Sequence, residues 1–209
     1  MAIMNFGGVK EEVVMRKEFP MSKARSVLKN ETIAVLGYGV QGPGQSLNMK
    51  DNGFNVIIGQ SKKFKKDWDR ALADGWKPGK DLFDLEEAAQ RGTILEMLIA
   101  DGAHPAVWPM IKRNLNPGDA LFFSHGFSIT YSDQTGVIPP KDVDVIMVAP
   151  KGSGTSLRRN FLSGEGINAS FAVYQDATGR PESAVSHWEL PSGRGTSFPR
   201  PSRRRSTAI

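Results

Sequence analysis

The fold is decided by the stretch TIAVLGYGVQG, which occupies residues 32–42. Its first five residues are apolar or β-branched and stop at Gly37, a pattern typical of a strand buried on both faces of a parallel sheet. A helix-like stretch from about Gln41 to Asp51 follows, and residues 55–59 form a second short strand. A glycine turn between a strand and a helix is the setting in which the pattern G-x-G-x-x-G is specific for dinucleotide binding.

Each glycine of this turn has its own steric role. Gly37 permits the tight turn, Gly39 lets a pyrophosphate approach the backbone, and Gly42 lets the helix pack closely on the strand. The helix N-terminus adds free N–H groups and the positive end of the helix dipole. The turn therefore predicts a dinucleotide site, and the alternative is a glycine-rich turn that holds no ligand.

The segment after the second strand bears on which dinucleotide is bound. NAD sites usually place an Asp or Glu about 20 residues beyond the glycine turn, where it holds the ribose hydroxyls. Here residues 59–66 read GQSKKFKK, and no carboxylate occurs before Asp67. Clustered ammonium groups bind a ribose 2′-phosphate, which a carboxylate would repel. We therefore expect NADPH to be preferred to NADH, with Lys62 and Lys63 as cofactor contacts; the alternative is a solvated lysine loop.

Helical and strand-like segments continue to alternate along the chain. Helices are predicted at residues 68–74, 85–91 and 107–115, and strands at residues 94–99, 120–123 and 143–148. Repeated β-α-β units specify a Rossmann-like, doubly wound α/β fold with a mostly parallel sheet. Ligands bind such sheets beyond the carboxyl ends of the strands, so the residues just after each strand are the candidates for chemistry.

Polar residues follow three of the predicted strands. Asp101 follows the third strand, His125 lies in the segment SHGF after the fourth, and Lys151 lies in APKGSG after the fifth. We expect these segments to meet in one crevice, with Lys151 as a cation for an anionic substrate or for developing oxyanion charge. A structural histidine and an exposed loop lysine are the alternatives for His125 and Lys151. His104 and His187 have no comparable setting.

Composition excludes several classes of protein. The chain has 209 residues, 39% of them hydrophobic and 23% charged, which is ordinary for a globular protein and argues against collagen and wholesale disorder. It has no cysteine, so thiol nucleophiles, thiolate metal sites and disulfides are excluded. It has neither a bilayer-length apolar run nor a signal-peptide core near Met1, so we expect a soluble, cytoplasmic protein with no membrane partner.

The net charge of +5 is concentrated in the last part of the chain. Residues 181–209 contain five Arg and two Glu, a net charge of +3, and are rich in Ser, Pro and Gly without helical or strand periodicity. The other 180 residues carry the remaining +2. We therefore expect no nucleic-acid partner, and the alternative is a nucleic-acid arm formed by the arginines at positions 203–205.

Several ordered motifs resemble those of the ketol-acid reductoisomerases, also called acetohydroxy acid isomeroreductases. They are NFGG at residues 5–8, GYGVQG at 37–42, SHGF at 124–127, VAPKGSG at 148–154 and QDATG at 175–179. The resemblance implies Mg²⁺-assisted alkyl migration in 2-acetolactate or 2-aceto-2-hydroxybutyrate, with the metal acting as a Lewis acid. Reduction of the product by NADPH follows, as a step of valine and isoleucine synthesis.

The resemblance also implies roles for individual residues. His125 corresponds to the active-site histidine of the family, and Lys151 and Gly154 line the site. Taken with the turn glycines and the two lysines, the candidate cofactor contacts are Gly37, Tyr38, Gly39, Val40, Gln41, Gly42, Gln60, Ser61, Lys62, Lys63, Asp101 and Gly154.

Beyond Arg180 the sequence departs from this family. The family continues into a large helical domain that supplies the acidic metal ligands and much of the dimer interface, whereas residues 191–201 here read PSGRGTSFPRP. A shift of one base in the usual coding sequence of the family yields similar text, so we expect a frameshift near Pro181. The expected organisation is an N-terminal segment 1–30, an NADP-binding domain 31–180 and an aberrant basic tail 181–209.

Such a chain is expected to bind NADPH and to lack reductoisomerase activity. We expect no metal site in it, because the Mg²⁺ ligands of the family lie in the helical domain. The homo-oligomer of the family is expected only of its full-length members. The alternative function is that of a non-catalytic dinucleotide-binding module.

Overall fold

The computed structural model describes residues 2–13 and 20–179, which form nine strands and eight α-helices. The strands are β1 (Ala2–Phe6), β2 (Val9–Val13), β3 (Ile33–Leu36), β4 (Val56–Gly59), β5 (Leu82–Phe83), β6 (Ile94–Met97), β7 (Ala120–Phe123), β8 (Asp144–Pro150) and β9 (Ala169–Gln175). The helices are α1 (Met21–Val27), α2 (Gln41–Asp51), α3 (Lys65–Ala73), α4 (Leu85–Arg91), α5 (His104–Arg113), α6 (Phe127–Thr130), α7 (Ser132–Thr135) and α8 (Gly154–Ser163). A single 3₁₀ turn, Asp101–Ala103, precedes α5.

The main sheet has seven strands in the order β5-β4-β3-β6-β7-β8-β9. All neighbouring pairs are parallel except β8 and β9, which are antiparallel. From β3, the chain adds β4 and then β5 on one side of that strand. It then crosses to the other side of β3 and adds β6, β7 and β8 in the opposite direction. This reversal beside β3 is a topological switch point, so the predicted doubly wound, mostly parallel α/β fold is confirmed.

Both faces of the sheet are covered, which explains the continuous apolar runs in the sequence. Ile33 and Val35 pack in a core on one face with Ile58 and Phe122. Ala34, which lies between Ile33 and Val35, packs on the opposite face with Leu95, Leu121 and Ile111. A strand buried on both faces favours apolar residues at nearly every position, so its sequence does not alternate between apolar and polar residues.

Most predicted elements are found, with shifted ends. Helix α2 has the predicted bounds, whereas α3 and α5 each begin three residues earlier than predicted. In α5 the early start is compatible with Pro105, because the second position of a helix needs no N–H donor within the helix. Strand β6 ends two residues before the predicted end at Ile99, and β8 extends two residues past the predicted end at Val148.

Several parts of the described chain have no predicted counterpart. They are the antiparallel hairpin of β1 and β2, the helices α1, α6, α7 and α8, the short strand β5 and the antiparallel strand β9. Helix α1 contributes Ala24 to the core, and Leu28 just after it is also buried there. The predicted tail, residues 181–209, and His187 lie outside the described residues. No helix in the described part of the chain is long and apolar enough to cross a membrane.

Candidate functional site

The glycine turn between β3 and α2 has the three steric features expected of it. Gly37 has a φ of +107°, and a Cβ there would lie 2.8 Å from the backbone N of Ile99. A Cβ on Gly42 would collide with the carbonyl oxygen of Gly37, so that glycine is required for close packing of α2 on the turn. A Cβ on Gly39, in contrast, would meet nothing within 4 Å. Gly39 thus leaves open space where a ligand can approach the backbone.

Helix α2 begins directly after this opening. Its N-cap residue, Val40, offers no side-chain hydrogen bond to the first turn and is 66% exposed. The backbone N–H groups at a helix N-terminus need partners from outside the helix, and a phosphate group suits both their geometry and the helix dipole. The turn and the helix start together fit a pyrophosphate.

The side chain of Tyr38 lies inside the protein, away from this opening. It is fully buried, its hydroxyl donates to Oδ2 of Asp74 at 2.9 Å, and the same hydroxyl accepts from Nε1 of Trp76 at 2.8 Å. Burial, together with the neighbouring Asp74, raises the pKa of the Tyr38 hydroxyl well above its usual value. The ring therefore anchors the turn, and the backbone of Tyr38 is the part that can face a dinucleotide.

The residues after β4 lie beside the turn, and one of them, Gln60, holds it in place. Gln60 is buried, and its Oε1 accepts a 2.8 Å hydrogen bond from the backbone N–H of Tyr38. Ser61 is half-buried, and its hydroxyl lies 3.4 Å from the backbone N of Lys63. Lys62 and Lys63 are exposed, with Nζ of Lys62 at 5.1 Å from the centre of the Trp68 ring. No carboxylate stands at the end of β4, as the sequence indicates.

Arg70 of α3 is a further cation at this site, and sequence reasoning missed it. Its guanidinium donates a 3.1 Å hydrogen bond to the carbonyl oxygen of Gly39, the open glycine of the turn. Arg70 follows Gly39 by 31 residues and belongs to no motif, so no sequence signal indicates the contact.

The ends of β6 and β7 bring two predicted residues together. Nε2 of His125 lies 3.1 Å from Oδ1 of Asp101, with the two side chains 55% and 40% exposed. Nδ1 of His125 accepts a hydrogen bond from the backbone N–H of Phe127 at 3.4 Å. Because Nδ1 is the acceptor, a neutral ring carries its proton on Nε2 and directs it at the carboxylate of Asp101.

A buried pair lies beneath this exposed pair. Nδ1 of His104 is 2.6 Å from the hydroxyl of Ser128, and its Nε2 is 3.1 Å from the carbonyl oxygen of Ile99. Sequence reasoning set His104 aside. Its position three residues after Asp101, matched by Ser128 three residues after His125, is a signal that could have pointed to it.

The third strand end, after β8, contacts the start of α2. Nε2 of Gln41 donates to the carbonyl oxygen of Gly152 at 3.1 Å. A Cβ on Gly154 would collide with the carbonyl oxygen of Val40, so the start of α8 packs directly on the glycine turn. Lys151 is exposed beside this contact, and its backbone N–H donates to the carbonyl oxygen of Asn168 at 2.8 Å.

The same helix also reaches the segment that carries His125. Nε2 of Gln45, a buried residue of α2, donates to the hydroxyl of Ser124 at 2.8 Å. The strand ends that carry His125 and Lys151 therefore each contact the helix that follows the glycine turn. Asp101 joins them through His125.

Comparisons with known proteins agree with this geometry. Residues 27–195 match the family described as the NADPH-binding domain of acetohydroxy acid isomeroreductase. The chain is 60% identical over 199 residues to the ketol-acid reductoisomerase (NAD(+)) of Desulfosudis oleivorans, covering 95% of the chain and 56% of that protein. It is 54% identical over 177 residues to the mitochondrial ketol-acid reductoisomerase of Neurospora crassa, covering 85% of the chain and 44% of that protein.

A solved structure gives the same result. The NADH-preferring ketol-acid reductoisomerase from an uncultured archaeon superposes with a TM-score of 0.81 at 34% identity, covering 90% of this chain and 55% of that one. The chain thus spans about half the length of the relatives that it matches.

Proposed function

The chain belongs to the ketol-acid reductoisomerase family, and we propose that it forms the dinucleotide-binding half of such an enzyme. The reaction proposed for the whole protein is alkyl migration in 2-acetolactate or 2-aceto-2-hydroxybutyrate, followed by reduction to the 2,3-dihydroxy acid. One observation carries the proposal. The glycine turn, open at Gly39, lies beside strand ends that carry Asp101, His125 and Lys151.

The described residues fit a nicotinamide dinucleotide. The backbone from Gly37 to Gly42 and the start of α2 are proposed to hold the pyrophosphate. Ser61, Lys62 and Lys63 are proposed to face the adenosine ribose, and Gln60 is proposed to contribute by holding the turn through its bond to Tyr38. Asp101 and Gly154 are proposed to face the nicotinamide side. When bound, the dinucleotide supplies the hydride.

We propose NADPH as the preferred form. Lys62 and Lys63 are exposed after β4, and no carboxylate stands there to repel a 2′-phosphate. The second candidate is NADH, which the names of the Desulfosudis and archaeal relatives favour, whereas a 45% identical Pyrobaculum arsenaticum relative is named for NADP(+).

His125 is proposed to move a proton at the reacting centre. Its Nε2 holds the proton of the neutral ring, so a second proton can be taken only by Nδ1, which must first release the backbone N–H of Phe127. Asp101, on the Nε2 side, stabilises the imidazolium that then forms. Lys151 is proposed as the cation that faces the carboxylate or a developing oxyanion of the substrate.

The family resemblance also implies magnesium, and the described residues do not fit it. Across residues 2–13 and 20–179, no three side chains of the metal-binding types lie together. No step of this proposal therefore runs through a metal ion. We propose that the alkyl migration depends on the part of the relatives that this chain does not match, so residues 1–209 alone bind the dinucleotide without turning over the substrate.

The domain boundaries at residues 31 and 181 and a cytoplasmic location stay predictions. The family match ends at residue 195, inside the predicted tail. The Neurospora relative is named as mitochondrial.

Fluorescence titration of the purified 209-residue protein with NADPH and with NADH tests the proposal. We expect saturable binding with NADPH the tighter of the two, and tighter NADH binding would favour the second candidate. An assay with 2-acetolactate, NADPH and Mg²⁺ is run beside it. Absence of binding to either dinucleotide would overturn the proposed function, and Mg²⁺-dependent turnover would overturn the assignment of alkyl migration to the unmatched part.

A further inference from the structure

Two side-chain contacts join the segment after β6 to the segment after β7. On each segment, the two residues that make these contacts are three positions apart. The exposed pair is Asp101 with His125, and the buried pair is His104 with Ser128. We propose that His104 and Ser128 are positioning residues that hold His125 in one orientation and one tautomer against Asp101. This inference rests on the proposed role of His125 in catalysis.

The contacts of His104 fix its protonation. The carbonyl oxygen of Ile99 can only accept, so Nε2 of His104 must donate to it. In the neutral ring Nδ1 is then the acceptor, and the hydroxyl of Ser128 donates to it at 2.6 Å. His104 is 1% exposed and Ser128 is fully buried, so water does not compete for either bond. Burial lowers the pKa of His104, which keeps the ring neutral and this arrangement intact.

The buried pair is connected to the exposed pair on both sides. On one side, the backbone N–H of His104 donates to the carbonyl oxygen of Asp101 and closes the 3₁₀ turn. On the other side, Ser128 lies one residue after Phe127, whose N–H contacts Nδ1 of His125. The backbone carbonyl of Ser128 also accepts from the Thr135 hydroxyl at 2.8 Å, which ties α6 to α7. A change in the buried pair therefore moves the groups that hold both ring nitrogens of His125.

The exposed pair needs this support. Two half-exposed side chains in water lose much of their mutual attraction to solvent, so a contact between them holds its geometry weakly. The His104–Ser128 hydrogen bond is buried, so water does not compete for it and losing it would be costly. The buried hydrogen bond between His104 and Ser128 then fixes the position of Asp101 relative to His125.

Ring-nitrogen NMR tests the proposal directly. Long-range ¹H–¹⁵N spectra of the purified 209-residue protein at pH 8 distinguish the two tautomers of each histidine, and His125→Gln identifies the His125 signals. We expect widely separated Nδ1 and Nε2 signals for His125 in the wild type, with the proton on Nε2. In His104→Phe and in Ser128→Ala, the two signals should move toward each other as the ring samples both tautomers.

Two further variants separate positioning from general loss of stability. Ile111→Val shortens another buried side chain of α5 and should leave the His125 signals in place. His104→Asn keeps a polar partner near Ser128 and should restore part of the separation. Unchanged His125 signals in both His104→Phe and Ser128→Ala would overturn the proposal, as would an equal change in Ile111→Val.

The same samples also test the proposed function, independently of the positioning of His125. Dinucleotide binding by the wild type is measured by titration, and its absence would overturn the proposed function. The NMR signals of His125 report on the positioning pair whether or not a dinucleotide binds.

Discussion

Oε1 of Gln60 accepts a 2.8 Å hydrogen bond from the backbone N–H of Tyr38, which joins the end of β4 to the glycine turn after β3. Gln60 is buried, so this bond satisfies a backbone donor that has no access to water. At this position NAD sites commonly carry an acidic residue for the ribose. Here the side chain bonds to the turn instead, and Lys62 and Lys63, which follow it, are the residues proposed to face the ribose.

Replacing Gln60 should loosen the turn. Gln60→Ala leaves the N–H of Tyr38 without its partner, which costs on the order of 1–3 kcal/mol for a buried donor. We expect a lower midpoint in urea and about tenfold weaker dinucleotide binding. Gln90→Ala, at an exposed position of α4, is the matched control and should change neither quantity. Wild-type binding by Gln60→Ala would show that the turn does not need this bond.

Two glycines of the same turn should respond in opposite ways to alanine. Gly39→Ala adds a methyl group in open space at a backbone conformation that alanine can adopt, so stability should stay within about 0.5 kcal/mol of wild type. The same methyl group fills the approach of the pyrophosphate, so dinucleotide affinity should fall at least tenfold.

Gly42→Ala places a methyl group on the carbonyl oxygen of Gly37 and should destabilise the fold by ~2 kcal/mol or more. Thermal unfolding and cofactor titration of both variants separate the two effects. If Gly39→Ala bound the dinucleotide as well as the wild type, the open space at Gly39 would not be the pyrophosphate site.

The lysines after β4 should set the preference between the two dinucleotides. Lys62→Ala combined with Lys63→Ala removes two exposed cations, and charge-assisted hydrogen bonds to a phosphate contribute about 1.5–3 kcal/mol. We expect NADPH affinity to fall about tenfold and NADH affinity about twofold or less. Lys66→Ala, on the same segment, is the control and should leave the ratio unchanged. An equal loss for both dinucleotides would mean that these lysines do not contact the 2′-phosphate.

The sequence predicted the parts of this molecule that local rules determine. The strands that flank the glycine turn are recognisable because burial on both faces removes polar residues, and α2 is bounded by the turn and by Asn52-Gly53. Strand β9 was missed because it lies at the edge of the sheet and mixes buried with partly exposed positions. The hairpin of β1 and β2 was missed because residues 3–5 and 9–10 are exposed, so these strands carry no buried apolar run.

The sequence predicted where the backbone of the candidate site lies, but not how its side chains are placed. The glycine pattern locates the turn but does not specify that the Tyr38 ring lies in the core or that the Gln60 side chain bonds the turn. His104 and Arg70 were missed because each acts across two segments that only the fold brings together. Contacts of this kind depend on the packing of strands that are distant in sequence.

The pKa of His104 predicts how stability depends on pH. Burial lowers the pKa of this ring below its ordinary value of 6.5, with Asp101 opposing the shift and His125 adding to it. The unfolded chain therefore binds a proton more readily than the folded chain in the pH range just below 6.5, so stability should be full above that pH and fall as the pH drops through the range.

Urea unfolding of the wild type and of His104→Phe at several pH values measures this effect. The wild type should lose more stability than the variant between about pH 7 and pH 5. Parallel curves for the two proteins would show that His104 does not titrate differently on folding.

Asp144 should hold the end of β9 in place. Its Oδ1 accepts from the backbone N–H groups of Ala177 and Thr178 at 2.8 and 3.0 Å, and its Oδ2 accepts from the Thr178 hydroxyl at 2.6 Å. The carboxylate is buried at the start of β8, so three donors converge on an acceptor shielded from water. Asp144→Asn turns one acceptor oxygen into a donor and sets it against a donor, which should cost about 1–3 kcal/mol.

Because β9 pairs only with β8 within the described sheet, Asp144→Asn should weaken β9 locally in addition to lowering the stability of the whole fold. Amide hydrogen exchange in β9 should accelerate more than exchange in β3. Asp142→Asn, at an exposed position two residues earlier, should behave as the wild type. If amide exchange accelerated equally in β3 and β9, Asp144 would stabilise the whole sheet and would not stabilise its antiparallel edge strand in particular.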